Sequence, residues 1–173
     1  FYRSAGGRFG GLQIHGGKDN WVDNNLFIDC KAAISFSPWS QSRWVESVQR
    51  WLENARRRGL DVTKPPLSTR YPELLDLESN PNRNFILRSL VVNCGEFAIR
   101  DPGVNVFFDN HTADGDIGFE DPSQHRFGLK PDAKPFQWFH FRAIPFDEIG
   151  LYPSPVRATW PVEHSVSPKY VAE

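Results

Sequence analysis

The chain reads as an all-β protein built as a solenoid, short strands stacked coil upon coil, and three observations predict it. The stretch Trp21–Ile34, WVDNNLFIDCKAAI, returns in pattern as Ile86–Ile99, ILRSLVVNCGEFAI, with a cysteine at the same place each time. Setting Val22 over Ile86, Leu26 over Leu90, Ile28 over Val92 and Cys30 over Cys94 gives every apolar residue an apolar partner, with Asn25 over Ser89. A third copy, VNVFFDNHTADGDIGFED, follows without an insertion about twenty residues on, putting Asn110 on the Asn25 position and Ile117 in the next strand. The segments alternate with period two and are punctuated by Asn, Asp and Gly, which marks short strands and turns. A sandwich would alternate too, but it would not repeat the polar turn and the cysteine in register. Parallel stacking places like residues over like, so Asn25, Ser89 and Asn110 are expected to form a column.

Taken in order, GGLQIHGG is a fragment of an earlier copy, with Leu12 and Ile14 facing inward and Gln13 and His15 outward. The first full copy follows at Trp21, and residues 38–82 then form one insertion. Within it, Trp44, Val45, Val48, Trp51, Leu52 and Ala55 recur at helical spacing, with Ser42 as a candidate N-cap and Gly59 as a natural stop. The next stretch, TKPPLSTRYPELLDL, is expected to begin extended and end in a short helical turn. An insertion of this length commonly serves as a lid or binding wall. The second and third copies come next, and residues 122–173 are expected to form an irregular tail, all within one domain over 1–173.

The segments IHGGKDNWVDNNLFIDC, NFILRSLVVNC, IGFEDPSQHRFGLKP and IPFDEIGLYPSPVRATWP resemble the C-terminal part of right-handed parallel β-helix proteins of the pectate-lyase-like group. The resemblance covers most of the chain and implies a polysaccharide or oligosaccharide substrate and a secreted or periplasmic location. It also implies that further N-terminal β-helix coils of the same polypeptide stack on the first coil, and that the ending closes the stack.

Composition narrows the partners. With 20 Lys and Arg against 21 Asp and Glu, the formal charge of −1 leaves no basic excess for nucleic acid or an anionic membrane surface. No apolar run is long enough to cross a bilayer. Six Trp and 14 Phe are a large stacking resource, and those set among polar residues, in NWVDN and SPWSQSRW, are the ones expected to face a ligand. Cys30 and Cys94 are expected to be stacked free thiols, because side chains on neighbouring parallel strands point the same way. No His or further Cys stands at metal-ligand spacing, so neither a metal nor another cofactor is expected.

The chemistry is expected on an outward row of Gln13, His15, Ser35, Ser37, Arg100, Gly118 and Glu120. His15, at a strand end before Gly16 and Gly17, can transfer protons near neutrality. Asp101 supplies a carboxylate after Arg100, and these two are the catalytic candidates. Lys18 and Asp19 follow the His15 turn. Trp39, Arg43, Trp44, Arg70 and Tyr71 in the insertion offer aromatic faces for sugar rings and guanidinium donors for hydroxyls or uronate carboxylates. Trp39 is expected to be the freer tryptophan, whereas Asp23, Asp29 and Asp109 supply further carboxylates, the last two as turn residues. Glycoside hydrolysis is the first expectation, with uronate lyase chemistry or non-catalytic polysaccharide binding as alternatives.

Overall fold

The computed structural model describes residues 1–5 and 8–149. The chain is mostly β, and its parallel strands stack into three sheets. Strands β1 (Leu12–Ile14), β2 (Trp21–Asp23), β3 (Leu26–Ile28) and β4 (Ala32–Phe36) precede the insertion. After it come β5 (Phe85–Leu87), β6 (Leu90–Val92), β7 (Glu96–Ile99), β8 (Val106–Phe108) and β9 (His111–Ala113). The sheets are β1-β4-β7, β2-β5-β8 and β3-β6-β9, so each pass of the chain visits them in the same order. The registers Val22↔Ile86, Leu26↔Leu90 and Ile28↔Val92 are those the repeat predicts, and Leu90↔His111 sets Asn110 above Ser89.

One core lies between the sheets. Val22 and Ile86 come from the β2-β5-β8 sheet, Phe27 and Val91 from the β3-β6-β9 sheet, and Ile14, Ile34 and Phe36 from the β1-β4-β7 sheet, with Cys30 and Ala33 among them. A second core lies across the β3-β6-β9 sheet, where Leu26, Ile28, Leu90 and Val92 meet Ile117, Phe119 and Phe141. Strands buried on both faces must be apolar throughout, which is why β3 and β6 read LFI and LVV. The β2-β5-β8 sheet keeps one face in the core and leaves the other to solvent.

Asparagines tie the passes together. The fully buried Asn84 accepts from the backbone N–H of Asn20 at 3.2 Å and from its side chain at 2.7 Å, and donates to the Asn105 oxygen at 3.1 Å. In the expected Asn25 column, the Ser89 N–H donates to Asn110 at 2.9 Å. The turns between the first two strands of each pass also repeat, because Asn24, Arg88 and Asp109 all take positive φ, as do Asp29 and Asn93 one turn later. Asp29 and Asp109 are therefore the turn residues expected of them.

The insertion carries helix α1 (Gln41–Arg57), helix α2 (Leu67–Arg70) and a 3-10 turn at Pro72–Asp76. Ser40, not Ser42, is the N-cap, its hydroxyl accepting from the Arg43 N–H at 3.3 Å. Gly59 does stop the helix: at φ +81° its N–H bonds to the Arg56 carbonyl while that of Leu60 reaches Ala55.

The third pass departs from expectation. Ile117 is buried but belongs to no strand, and β10 (Phe119–Asp121) turns away to pair antiparallel with β11 (Arg126–Leu129). Phe127 and Leu129 of β11 pack on the second core, as do Phe136 of helix α3 (Pro135–Trp138), Phe139 and Ile144. The tail to residue 149 thus covers the flank of the β3-β6-β9 sheet. The end of the tail, expected to close the stack, lies outside the described residues. No helix among the described residues is long and apolar enough to cross a membrane.

Candidate functional site

The outward face of the β2-β5-β8 sheet carries two columns. One is Trp21, Phe85 and Val106, and the other is Asp23, Leu87 and Phe108, placed by register. Trp21 is 66% exposed and stacks on Phe85, with ring centroids 4.7 Å apart and planes 22° from parallel. One strand spacing is about 4.7–4.9 Å, so the stacking follows from the sheet itself. Val106 is 41% and Phe108 63% exposed. An apolar face of this kind flanked by charges suits the CH-rich face of a sugar ring, whose hydroxyls can reach the polar rim.

Both rims are polar. At the strand starts, Arg83 donates to Asp19 at 2.9 Å and lies 5.8 Å over the Phe85 ring. At the strand ends, Arg88 grips Asp23 with both arms of its guanidinium, and Arg142 reaches the same carboxylate at 3.3 Å. The Arg88 hydrogen bonds are the main reason the Asp23 carboxyl is held below its ordinary value. The His140 ring meets Asp109 through Nδ1 at 2.7 Å, and the His140 backbone N–H donates to the same oxygen at 3.1 Å. That contact with His140 lowers the Asp109 carboxyl, and the charge of Arg88 adds to it. The His140 side chain is 85% exposed, so an Nδ1 engaged by Asp109 leaves Nε2 on the solvent side.

The strap at residues 140–142 exists because the positive-φ column offers it partners. Arg142 and Asn24 exchange two hydrogen bonds at 2.7 and 3.0 Å, His140 takes Asp109 two passes away, and Phe141 between them is buried in the second core. Sequence reasoning missed Arg88, His140 and Arg142. The usable signal was in the third copy, where Asp109 falls on the Asn24 turn position.

The sequence-predicted residues divide differently. His15 is exposed and meets the edge of Trp39, with ring centroids 6.3 Å apart. Asp101 accepts from the Gly103 N–H at 3.0 Å and the Asn105 side chain at 2.7 Å, the geometry of a turn carboxylate. The outward row slips by one residue: Gln13 pairs with Ser35 and Ser35 with Ile99, while Arg100 lies beyond β7 at φ +60° and stacks over Phe9. Ser35 is fully buried, and Gly118 and Glu120 sit at the β10 hairpin, not on that sheet. Lys18 is an anchor, donating to the Asp76 carbonyl at 2.8 Å and pairing with Asp19 and Asp76 at 3.5 Å.

Trp39 is not the free tryptophan. Its ring lies against Gly16, where a Cβ would come within 2.7 Å of its indole nitrogen, and Asn82 bonds both its N–H and its carbonyl. Arg43 stacks on it at 4.0 Å. Trp44 is buried and donates to the Leu77 carbonyl at 2.6 Å, which pins α1 to the rest of the insertion, whereas Trp51 keeps about half its surface. Arg70 and Tyr71 pair with each other, the guanidinium 5.5 Å from the ring.

Among the described residues no group of three or more His, Cys, Asp or Glu could hold a metal ion. Neither a scan of protein-family models nor searches of the curated proteins and of the solved structures return a match for this chain.

Proposed function

We propose that the three sheets are the walls of a right-handed parallel β-helix and that the protein processes a polysaccharide lying over the outward face of the β2-β5-β8 sheet. The observation that carries this reading is the exposed column of Trp21 on Phe85 beside Leu87 and Phe108, rimmed by Arg83, Arg88, Arg142 and His140. A polymer of sugar rings needs repeated apolar platforms with hydrogen-bonding groups alongside, and stacked coils repeat both at the strand spacing. An extracellular or periplasmic location goes with such a substrate. Preceding coils, where the polypeptide has them, would stack on the β1 edge.

Glycoside hydrolysis is the reaction we place first. His140, oriented by Asp109, is the proton donor in this reading, and Asp23, held ionised by Arg88 and Arg142, is the carboxylate on the same rim two passes away. The exposed His140 ring, held through Nδ1 by Asp109, is the group on this rim whose other nitrogen faces solvent, where it can pass a proton to a leaving oxygen. His15 and Asp101 stand outside this reading because they follow β1 and β7 and so do not lie on the β2-β5-β8 sheet.

The test is turnover of a polysaccharide panel, read by new reducing ends and by absorbance of unsaturated uronates. Reducing ends without unsaturation are expected, with a loss of about 100-fold or more in His140→Ala and full activity in His15→Ala. Unsaturated products would replace hydrolysis by elimination, and binding without turnover would make the chain a binding module.

A further inference from the structure

The repeat that defines the fold also sets two thiols one pass apart, and nothing in the proposed polysaccharide chemistry uses them. Both cysteines are free, Cys30 buried and Cys94 half-buried. Cys94 Sγ accepts the backbone N–H of Cys30 at 3.3 Å, so its sulfur leans toward the neighbouring residue. Neighbouring parallel strands lie about 4.7–4.9 Å apart, inside the Cα separation a disulfide accepts. Side-chain direction keeps the thiols apart at rest, since each sulfur also points at the carbonyl two residues back in its own pass, Ile28 and Val92, at 3.4 Å. A turn about one Cα–Cβ bond removes that obstacle, because Cys94 already faces the partner.

Access is one-sided. The third pass contributes no strand to pair with β7 among the described residues, and a cavity of about 240 Å³ opens there beside Cys94, lined by Val91, Phe97, Thr112 and Asp114 among others. Cys30 is 1% exposed. The pair is therefore ordered for exchange, with Cys94 reachable from solvent and Cys30 behind it. The nearness of the two sulfurs lowers the Cys30 thiol to about 6 and raises that of Cys94, so Cys30 is the thiolate that can take the proton of Cys94.

We propose that Cys94 and Cys30 form a thiol–disulfide exchange site for small disulfides, Cys94 as the entry sulfur and Cys30 as the resolving one. The Cys30 thiolate takes the proton of Cys94 as Cys94 Sγ attacks one sulfur of oxidised glutathione, that S–S bond breaks, and the departing glutathione thiolate takes a proton from solvent. Cys30 Sγ then attacks the Cys94 sulfur of the mixed disulfide, and a second glutathione leaves with the remaining proton. Two protein thiols are oxidised and one molecule of oxidised glutathione is reduced to two thiols. The product closes a loop of 94 − 30 = 64 residues that contains the whole insertion, so its effect is to fasten the first and second passes around that insertion.

The experiment treats the reduced protein with oxidised glutathione, follows intact mass and a non-reduced peptide map, and melts both forms. The expected result is a loss of about two mass units, a Cys30–Cys94 peptide and a Tm raised on the order of 5–10 °C, reversed by reductant. In Cys30→Ser, Cys94 should stop at the glutathione adduct, and in Cys94→Ser, Cys30 should stay unmodified. The proposal is overturned if the wild-type protein keeps both thiols alkylatable, if the mixed disulfide at Cys94 persists unresolved, or if Cys30 in Cys94→Ser is glutathionylated as fast as Cys94 is. None of these readouts involves a saccharide, so failure here leaves the polysaccharide reading untouched, and the reverse.

Discussion

At the scale of single residues, side chains with buried polar contacts decide how the passes stack. Asn84 is fully buried, and its amide serves Asn20, Asn82 and Asn105. Asn84→Ala leaves several of those groups unpaired and should cost about 2–4 kcal/mol in urea unfolding, whereas Ser89, an imperfect rung with a small hydroxyl, should cost less. Gly16 answers to a different constraint, since φ +69° and the Trp39 ring both exclude a Cβ. Gly16→Ala should destabilise by about 1–3 kcal/mol and shift tryptophan emission as Trp39 is displaced. The Asn25 column was legible because Asn and Ser recur in the aligned copies. The Asn20–Asn84–Asn105 ladder was not, because its rungs lie just ahead of the apolar residues used to align them.

The carboxylates of the strap give a pH signature at the same scale. Asp23 is held low first by Arg88, and Asp109 first by His140. For a carboxyl lowered on folding, the stabilisation is complete above the unfolded value of about 4 and is lost as pH falls through the lower folded value. Thermal stability should therefore drop below about pH 4, and Asp109→Asn should flatten that drop while leaving the protein weaker at pH 7. An unchanged acid limb in calorimetry would remove the strap from the account.

Between residues and the whole lie the elements, and they differ in how openly the sequence declares them. Strands β2, β3, β5 and β6 were legible to the residue, because apolar partners recur at an offset of 86 − 22 = 64 on either side of the insertion. Helix α1 was legible by its period, while its cap was assigned two residues late because Ser40 and Ser42 are both competent in composition and only backbone geometry separates them. The strand expected at Ile117 was not legible as a departure: an apolar residue after a Gly-Asp turn fits a strand in either direction, and the contact that draws β10 to β11 is long-range. The insertion is tied back to the turn after β1 through Lys18 on Asp76, the Asn82 N–H on the Gly17 carbonyl and the Trp39 ring on Gly16, while Asn82 and Trp39 join its two ends to each other. Lys18→Met should leave the sheets folded but speed proteolysis between residues 60 and 80, seen by mass spectrometry of early fragments.

For the whole molecule, one sheet face is left uncovered among the described residues, and the proposed function rests on it. The β3-β6-β9 sheet is covered by the tail and β4 is buried along its length, which leaves the β2-β5-β8 face as the open wall. Sequence reasoning placed the chemistry on the β1-β4-β7 wall because LQIHG alternates cleanly, but alternation reports which side a residue takes and not what later packs against it. NWVDN did flag Trp21 as a ligand-facing tryptophan, and the structure leaves that ring exposed on the open wall.

The most direct measurement is calorimetric titration of an oligosaccharide panel, judged on wild-type protein, Trp21→Ala and, as a control on the other wall, His15→Ala. The account predicts a ligand whose affinity falls at least about tenfold, ~1.4 kcal/mol, in Trp21→Ala and is unchanged in His15→Ala. Equal affinity in wild-type and Trp21→Ala protein, or a loss confined to His15→Ala, would contradict it.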